Sequence, residues 1–223
     1  MWPVNPILVR EQQQLAAIFR AESSLPGLAV VSSFFSDDAV GMLVGALKEI
    51  KFYRYCVWSP TNSDDDLRRA FQEPDLRFAH LSIHARPMVL DNPTFLRTAE
   101  ALGSPPVLQW LNAVSGRPIN YLDPRHVLTR WGPGDFLGPH LDAGSADQPV
   151  ALVLSISLTQ GWRREWGGET VFEWDGSNTR LTSYPKANQT IIFAPHQGSY
   201  HWVEPVAESA PPDVRHTWTL HYR

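Results

Sequence analysis

His140-Leu141-Asp142 is the only His-x-Asp in the chain. In an extended segment, residues two apart share a face, so this imidazole and carboxylate would converge on one point. A surface histidine beside a turn aspartate would look the same, and the surroundings decide the weight of the pair. Gly132-Pro133-Gly134-Asp135-Phe136-Leu137-Gly138-Pro139 leads into it, a turn that delivers a strand. A third ligand must come from another strand. His201 stands in the strand-like run Ser199 to Val206. Two imidazoles and one carboxylate form the facial triad of non-haem Fe(II) oxygenases, which leaves positions open for substrates. Two histidines and an aspartate can also build a zinc hydrolase.

A second polar row follows. In Arg215-His216-Thr217-Trp218-Thr219-Leu220-His221-Tyr222, read as a strand, Arg215, Thr217 and Thr219 share one face, and Trp218 and Leu220 the other. Val150 to Thr159 behaves likewise, with Ser155, Ser157 and Thr159 opposite Leu154, Ile156 and Leu158. One face then lines a site while the other packs against helices. A guanidinium beside small hydroxyls, inside a barrel, suits a carboxylate. His221 falls on the polar side and is a candidate to support the metal ligands. His216 falls on the apolar side, and His196 lies in a Pro195–Gly198 turn. His80, His84 and His126 carry no usable signal.

The elements that position these groups divide the chain in two. Ile7 to Ala21 reads as a helix, Ser36-Asp37-Asp38 caps another, and Asn92 to Leu102 and Val107 to Val114 are two more, split by Gly103-Ser104-Pro105-Pro106. Phe52 to Trp58 is aromatic and β-branched enough for a strand. Its Tyr53, Arg54, Tyr55 and Trp58 are assigned to core packing, with pocket lining as the alternative. Ser63 to Asp66 is an acidic, solvated turn. From about Pro118, short strand-like runs alternate with turn signals: 127–131, 150–159, 169–174, 180–184, 190–194, 199–206 and 215–222. That spacing predicts a β-sandwich or barrel, with helices packed on one face.

Composition narrows the chemistry. The chain has 223 residues, which suits one domain. Its net charge of -4, with no basic block, argues against nucleic acid as partner. One cysteine excludes an intrachain disulfide or a multi-cysteine metal cluster, while eight histidines keep imidazole ligation open. No run is apolar enough to span a membrane and the first residues do not form a signal peptide, so a cytoplasmic location is expected.

The order His140-x-Asp142, His201, Arg215-x-Thr217 resembles the Fe(II)- and 2-oxoglutarate-dependent dioxygenases, and within them the prolyl-4-hydroxylase-like branch. The likeness covers roughly residues 120–223. Arg130 to Leu137 is similar to that branch's approach to its first histidine, Gly167-Gly168-Glu169-Thr170 to its Gly-Gly-Glu strand, and Pro185 to Phe193 to the segment before its distal histidine. The resemblance implies an α+β, mainly β fold: a double-stranded β-helix (jelly-roll, cupin-like) over 120–223, supported by helices and a few strands in 1–119, all in one domain. It implies Fe(II) on His140, Asp142 and His201, with Arg215 and Thr217 on the distal carboxylate of 2-oxoglutarate. Trp131 stands where the branch usually has tyrosine, and Ser157 near another. Each offers one hydrogen bond to the cosubstrate. The reaction implied consumes O2 and 2-oxoglutarate, releases succinate and CO2, and hydroxylates an unactivated C–H. Asp142 favours hydroxylation over halogenation, because halogenating members lack this carboxylate; desaturation and ring formation stay open.

The substrate expected is a free amino acid, an amino-acid-like metabolite or a natural-product intermediate. A peptidyl (prolyl) hydroxylase is the alternative. A non-enzymatic β-sandwich that grips a ligand with tryptophans is a third reading. By the same resemblance, the loop from Gln160 to Gly167 borders the site's mouth; its Trp162, Arg163, Arg164 and Trp166 either clamp an anionic, flat or apolar substrate or form a solvated hairpin with edge aromatics.

Overall fold

A computed structural model describes residues 4–20, 27–57, 82–124, 126–145, 147–174, 180–196, 198–213 and 215–223. The amino-terminal part supplies α1 (Pro6–Arg10), α2 (Gln12–Arg20), β1 (Leu28–Val31), α3 (Asp37–Ala46), β2 (Tyr53–Val57), β3 (Ser82–Arg86), α4 (Pro93–Leu102) and α5 (Pro105–Ser115). The expected helix over 7–21 is broken at Glu11 into two. Helix α3 starts where its sequence signals said. The Ser36 hydroxyl accepts from the Ala39 amide, and Asp37 and Asp38 occupy the first turn, where carboxylates meet the positive end of the dipole. Asn92 caps α4 in the same way, accepting from the Thr94 amide at 3.0 Å.

Pro105 and Pro106 require a correction. They do not separate two helices but open α5, because proline's missing amide has no partner to lose in a first turn. Strands β1 and β3 are further elements that the sequence reading did not anticipate. The expected turn at Ser63 to Asp66, and Trp58, lie outside the described residues.

The carboxy-terminal part is β4 (Val127–Trp131), β5 (Phe136–His140), β6 (Gly144–Ser145), β7 (Gln148–Pro149), β8 (Leu152–Ser157), β9 (Thr170–Trp174), β10 (Arg180–Ser183), β11 (Gln189–Phe193), β12 (Ser199–Val203) and β13 (Arg215–Tyr222). All pairings are antiparallel. One sheet runs β1-β11-β8-β13-β4, the other β5-β12-β9-β10, and β3 joins them by pairing with both β4 and β5. This arrangement is a double-stranded β-helix, as expected. The pair β6-β7 forms a separate small hairpin.

Directly paired residues in antiparallel strands point to the same face, so register sorts the first sheet. Trp218 pairs with Ile156 and Leu128, and Leu220 with Leu154. These side chains, with Ile192 and Tyr222, meet Phe34, Phe35, Phe95, Trp110 and Leu111 from the helical side in one buried cluster. Phe95 meets Trp218 edge to face at 5.0 Å. Two polar tips of β13 on this face find partners: the Trp218 indole donates to His126 Nδ1 at 3.0 Å, and the Tyr222 hydroxyl reaches the Leu102 carbonyl at 3.4 Å. The opposite face of the same strands looks into the space between the two sheets. Among the described residues, no helix is long and apolar enough to cross a membrane.

Candidate metal centre and its cavity

His140 is the last residue of β5, and His201 lies opposite it on β12. Their rings stand 4.1 Å apart between centroids. Register shifts between His201 and Val203, a bulge that re-aims side chains at the strand's end. Asp142 lies two residues beyond His140, just outside the strand, so strand alternation does not hold the pair together. The hairpin β6-β7 turns the chain there instead. Gly144 takes φ +74°, and a Cβ on it would sit 2.5 Å from the Gln148 carbonyl, so only glycine fits that turn.

Asp142 then faces three imidazoles. Its Oδ1 lies 3.6 Å from His140 Nε2, and its Oδ2 lies 3.4 Å from His201 Nε2 and 3.6 Å from His221 Nε2. One ligand atom each from His140, Asp142 and His201 falls within 4.8 Å of the others. An ion about 2 Å from each donor would draw them slightly inward. His140 Nδ1 sits 3.0 Å from the Gly138 carbonyl, which can only accept. Nδ1 therefore carries the proton and Nε2 offers its lone pair to the centre. His201 is buried, stacked on Phe172 at 5.2 Å and met by the edge of Phe193 at 4.9 Å, so its ring is fixed by packing. Burial alone would raise the Asp142 pKa. The charge of His201, hydrogen bonding from His201 and His221, and the charge of His140 outweigh it and hold the carboxyl well below its usual range.

Arg215 and Thr217 line the same cavity of about 220 Å3 as the three candidate ligands. Arg215 is 4 % exposed. One guanidinium nitrogen donates to Thr170 Oγ1 at 2.8 Å, while Nε and Nη1 are buried without a hydrogen-bond partner, as is Thr217 Oγ1. Burial pulls the Arg215 pKa down to about 9, against the opposing charge of Glu169. An unpaired buried donor costs free energy comparable to a lost hydrogen bond, about 1–3 kcal/mol and more for a charged group. Three such atoms on neighbouring residues of one strand face point to an anionic ligand.

The other expected residues divide. Trp131 is buried in the cavity wall, but its indole N–H is spent on Thr129 Oγ1 at 2.9 Å; its ring lies 4.8 Å from the Arg215 guanidinium carbon, so it offers Arg215 a π face. Ser157 is not among the residues that line the cavity. Ser155, one strand repeat away on the same face, is. Trp162 and Arg164 border a different depression with Tyr184 and Lys186. Arg163 stacks on Trp166 at 5.4 Å, and both tryptophans pack behind Trp131 and Val206. The loop therefore braces the barrel wall and does not line the cavity. Tyr53, Arg54 and Tyr55 are not core: Tyr53 is 42 % exposed, Arg54 pairs with Asp135, and Tyr55 lines the cavity. Arg86, on the unanticipated β3, lines it too. Its only signal in the sequence is a basic residue closing a short run whose strand character was not recognised.

Residues 126–223 match a family model described as the 2OG-Fe(II) oxygenase superfamily. No curated protein matches the sequence. Among solved structures, a prolyl-4-hydroxylase from Pseudomonas putida is similar, with TM-score 0.61 and 17% identity over 94% of this chain and 98% of that one. A prolyl hydroxylase from Trichoplax adhaerens, solved with a hypoxia inducible factor peptide fragment, has TM-score 0.60 and 12% identity over 98% and 93%. The non-heme alpha ketoglutarate dependent epimerase SnoN from nogalamycin biosynthesis has TM-score 0.56 and 18% identity over 98% and 83%. At these identities the neighbours bear on the fold, and the family rests on the matched segment, which holds both histidines, the aspartate and Arg215. Residues 126–223 are thus similar to the 2OG-Fe(II) oxygenase superfamily, a dioxygenase family that uses Fe(II), 2-oxoglutarate and O2.

Proposed function

We propose that the chain hydroxylates an unactivated C–H of an amino acid, an amino-acid-like metabolite or a natural-product intermediate, with His140, Asp142 and His201 holding Fe(II) and Arg215 and Thr217 holding 2-oxoglutarate. The observation that carries this is the set of orphaned polar atoms on Arg215 and Thr217, in the same cavity as the two-histidine, one-carboxylate cluster. The donor set suits Fe(II), and the orphaned donors suit the far carboxylate of a dicarboxylic 2-oxo acid. When bound, iron and cosubstrate supply the oxidising power, coupled to release of succinate and CO2.

The chain's own residues bind and orient. Arg215 turns Nε and Nη1 to the carboxylate and Thr217 adds its hydroxyl. Trp131 covers the guanidinium face and keeps water from it. The Gly138 carbonyl fixes the His140 tautomer, and Phe172 and Phe193 fix the His201 ring. His221 braces the second oxygen of Asp142. The buried cluster that runs from the helices into the first sheet supports treating 1–223 as one folding unit, with 1–119 as its support.

The size of the cavity favours a small substrate, since the cosubstrate must share the space. The peptide-bound neighbour keeps the peptidyl reading as the alternative. The test is succinate release from 2-oxoglutarate with added Fe(II), followed by mass-spectrometric search for gain of one oxygen across amino acids, peptides and cell extract. Hydroxylation of a small molecule supports the first reading, and of a peptide the second. Absence of succinate release under every condition would return the chain to the ligand-binding module.

A further inference from the structure

We propose that the substrate carries a carboxylate, received by Arg86 at the rim of the metal cavity, with Tyr55 as the platform that holds the guanidinium flat. The inference rests on the oxygenase function proposed above and narrows its substrate class. An outer pocket of about 470 Å3 adjoins the metal cavity, and Tyr55, Arg86 and Val127 line both. A molecule seated in the outer pocket therefore reaches the inner one past these three residues.

The outer pocket is cationic in an acidic protein. The chain has net charge -4, yet the charged residues lining the pocket are Arg54 and Arg86, with no carboxylate among the described lining. Arg54 is committed to Asp135. The Arg86 side chain has no hydrogen bond or ion pair to any described residue; its guanidinium carbon lies 3.2 Å from the Tyr55 ring centroid. Stacking on the ring's face fixes the guanidinium plane and leaves its edge donors for an incoming ligand, the geometry for two parallel bonds to a carboxylate. His126 also lines the pocket. Its Nδ1 accepts from Trp218, so Nε2 carries the proton, and the ring is a neutral donor. Met88, 81 % exposed, and Val127 supply apolar surface for the body of such a molecule.

The test uses the full chain loaded with Mn(II) and 2-oxoglutarate, so that the metal positions and Arg215 are occupied and no turnover occurs. Hexanoate and hexanamide are the probes, alike in chain and different in charge. Hexanoate should bind one site per chain, and hexanamide roughly ten- to a hundredfold more weakly. Arg86→Gln should bring hexanoate to the level of the amide, with 2-oxoglutarate still bound, and Arg86→Lys should recover part of the difference. L-Norleucine against N-acetylglycyl-L-norleucine then separates a free amino acid from a peptide C-terminus as the carboxylate's source. Equal binding of hexanoate and hexanamide, no binding of either, or discrimination that survives Arg86→Gln would overturn the proposal. Failure of the Mn(II)-loaded chain to bind 2-oxoglutarate is a different result: it removes the oxygenase reading, and this inference falls with it.

Discussion

Strand β13 has two faces with opposite rules. Trp218, Leu220 and Tyr222 fill a dry core against the helices, and the indole of Trp218 and hydroxyl of Tyr222 are hydrogen-bonded there. Arg215 and Thr217, one residue out of phase, are buried too but leave three polar atoms without partners. A strand that only had to fold would not carry both. The packed face is optimised for the chain alone, and the cavity face is completed by something that binds.

Substitutions can break or sharpen this contrast. The largest effect is expected at the cavity's end: Asp142→Ala should abolish succinate release and metal retention, both read directly. On the packed face, Trp218→Ala should lower unfolding free energy by about 3–5 kcal/mol, measured by denaturant, while folded protein keeps its 2-oxoglutarate affinity. Arg215→Met should do the reverse. Removing a buried charge with open donors should leave stability unchanged or raise it without ligand, yet weaken 2-oxoglutarate roughly 100-fold or more and erase the thermal shift that 2-oxoglutarate gives the wild type. Thr217→Val should be a milder version, about 1 kcal/mol or roughly fivefold in 2-oxoglutarate affinity.

A further effect concerns pH and acts on stability alone. Burial, against the charge of Asp213, lowers the His216 pKa to about 4 from its ordinary 6.5. The unfolded chain then binds more protons than the folded one between those values. The stability His216 contributes is full above 6.5 and is lost as pH falls toward 4, by at most about 1.4 kcal/mol per pH unit. His216→Phe should flatten the stability profile in that window and leave it unchanged above pH 7.

Much of this was legible in the sequence, for physical reasons that differ by region. The bounds of β4 and β13 and the two faces of β13 followed from period-two alternation, which a half-polar strand displays openly. The cluster of His140, Asp142 and His201 followed from residue type and order. The hairpin that turns Asp142 inward did not, since a two-residue pair around Gly144 has no periodicity to read. Ser157 and Ser155 share a face, so alternation could not say which lies deep enough to line the cavity. The Trp162 to Trp166 loop was expected at the mouth because such loops border it in the fold the chain resembles, but its tryptophans and arginines suit mutual stacking as well as ligands. Arg86 was missed as a cavity residue, and Tyr55 ranked as core first and pocket second, because β3 enters between the sheets from the amino-terminal half, and only tertiary pairing reveals that.

The most direct test of the account is an anaerobic titration with Fe(II) and then 2-oxoglutarate, on wild type, Asp142→Ala and Arg215→Met. One Fe(II) per chain is predicted in the wild type, lost in Asp142→Ala and kept in Arg215→Met. Tight 2-oxoglutarate binding is predicted to require both the metal and Arg215. Stoichiometric iron in Asp142→Ala, or 2-oxoglutarate binding indifferent to Arg215, would contradict it.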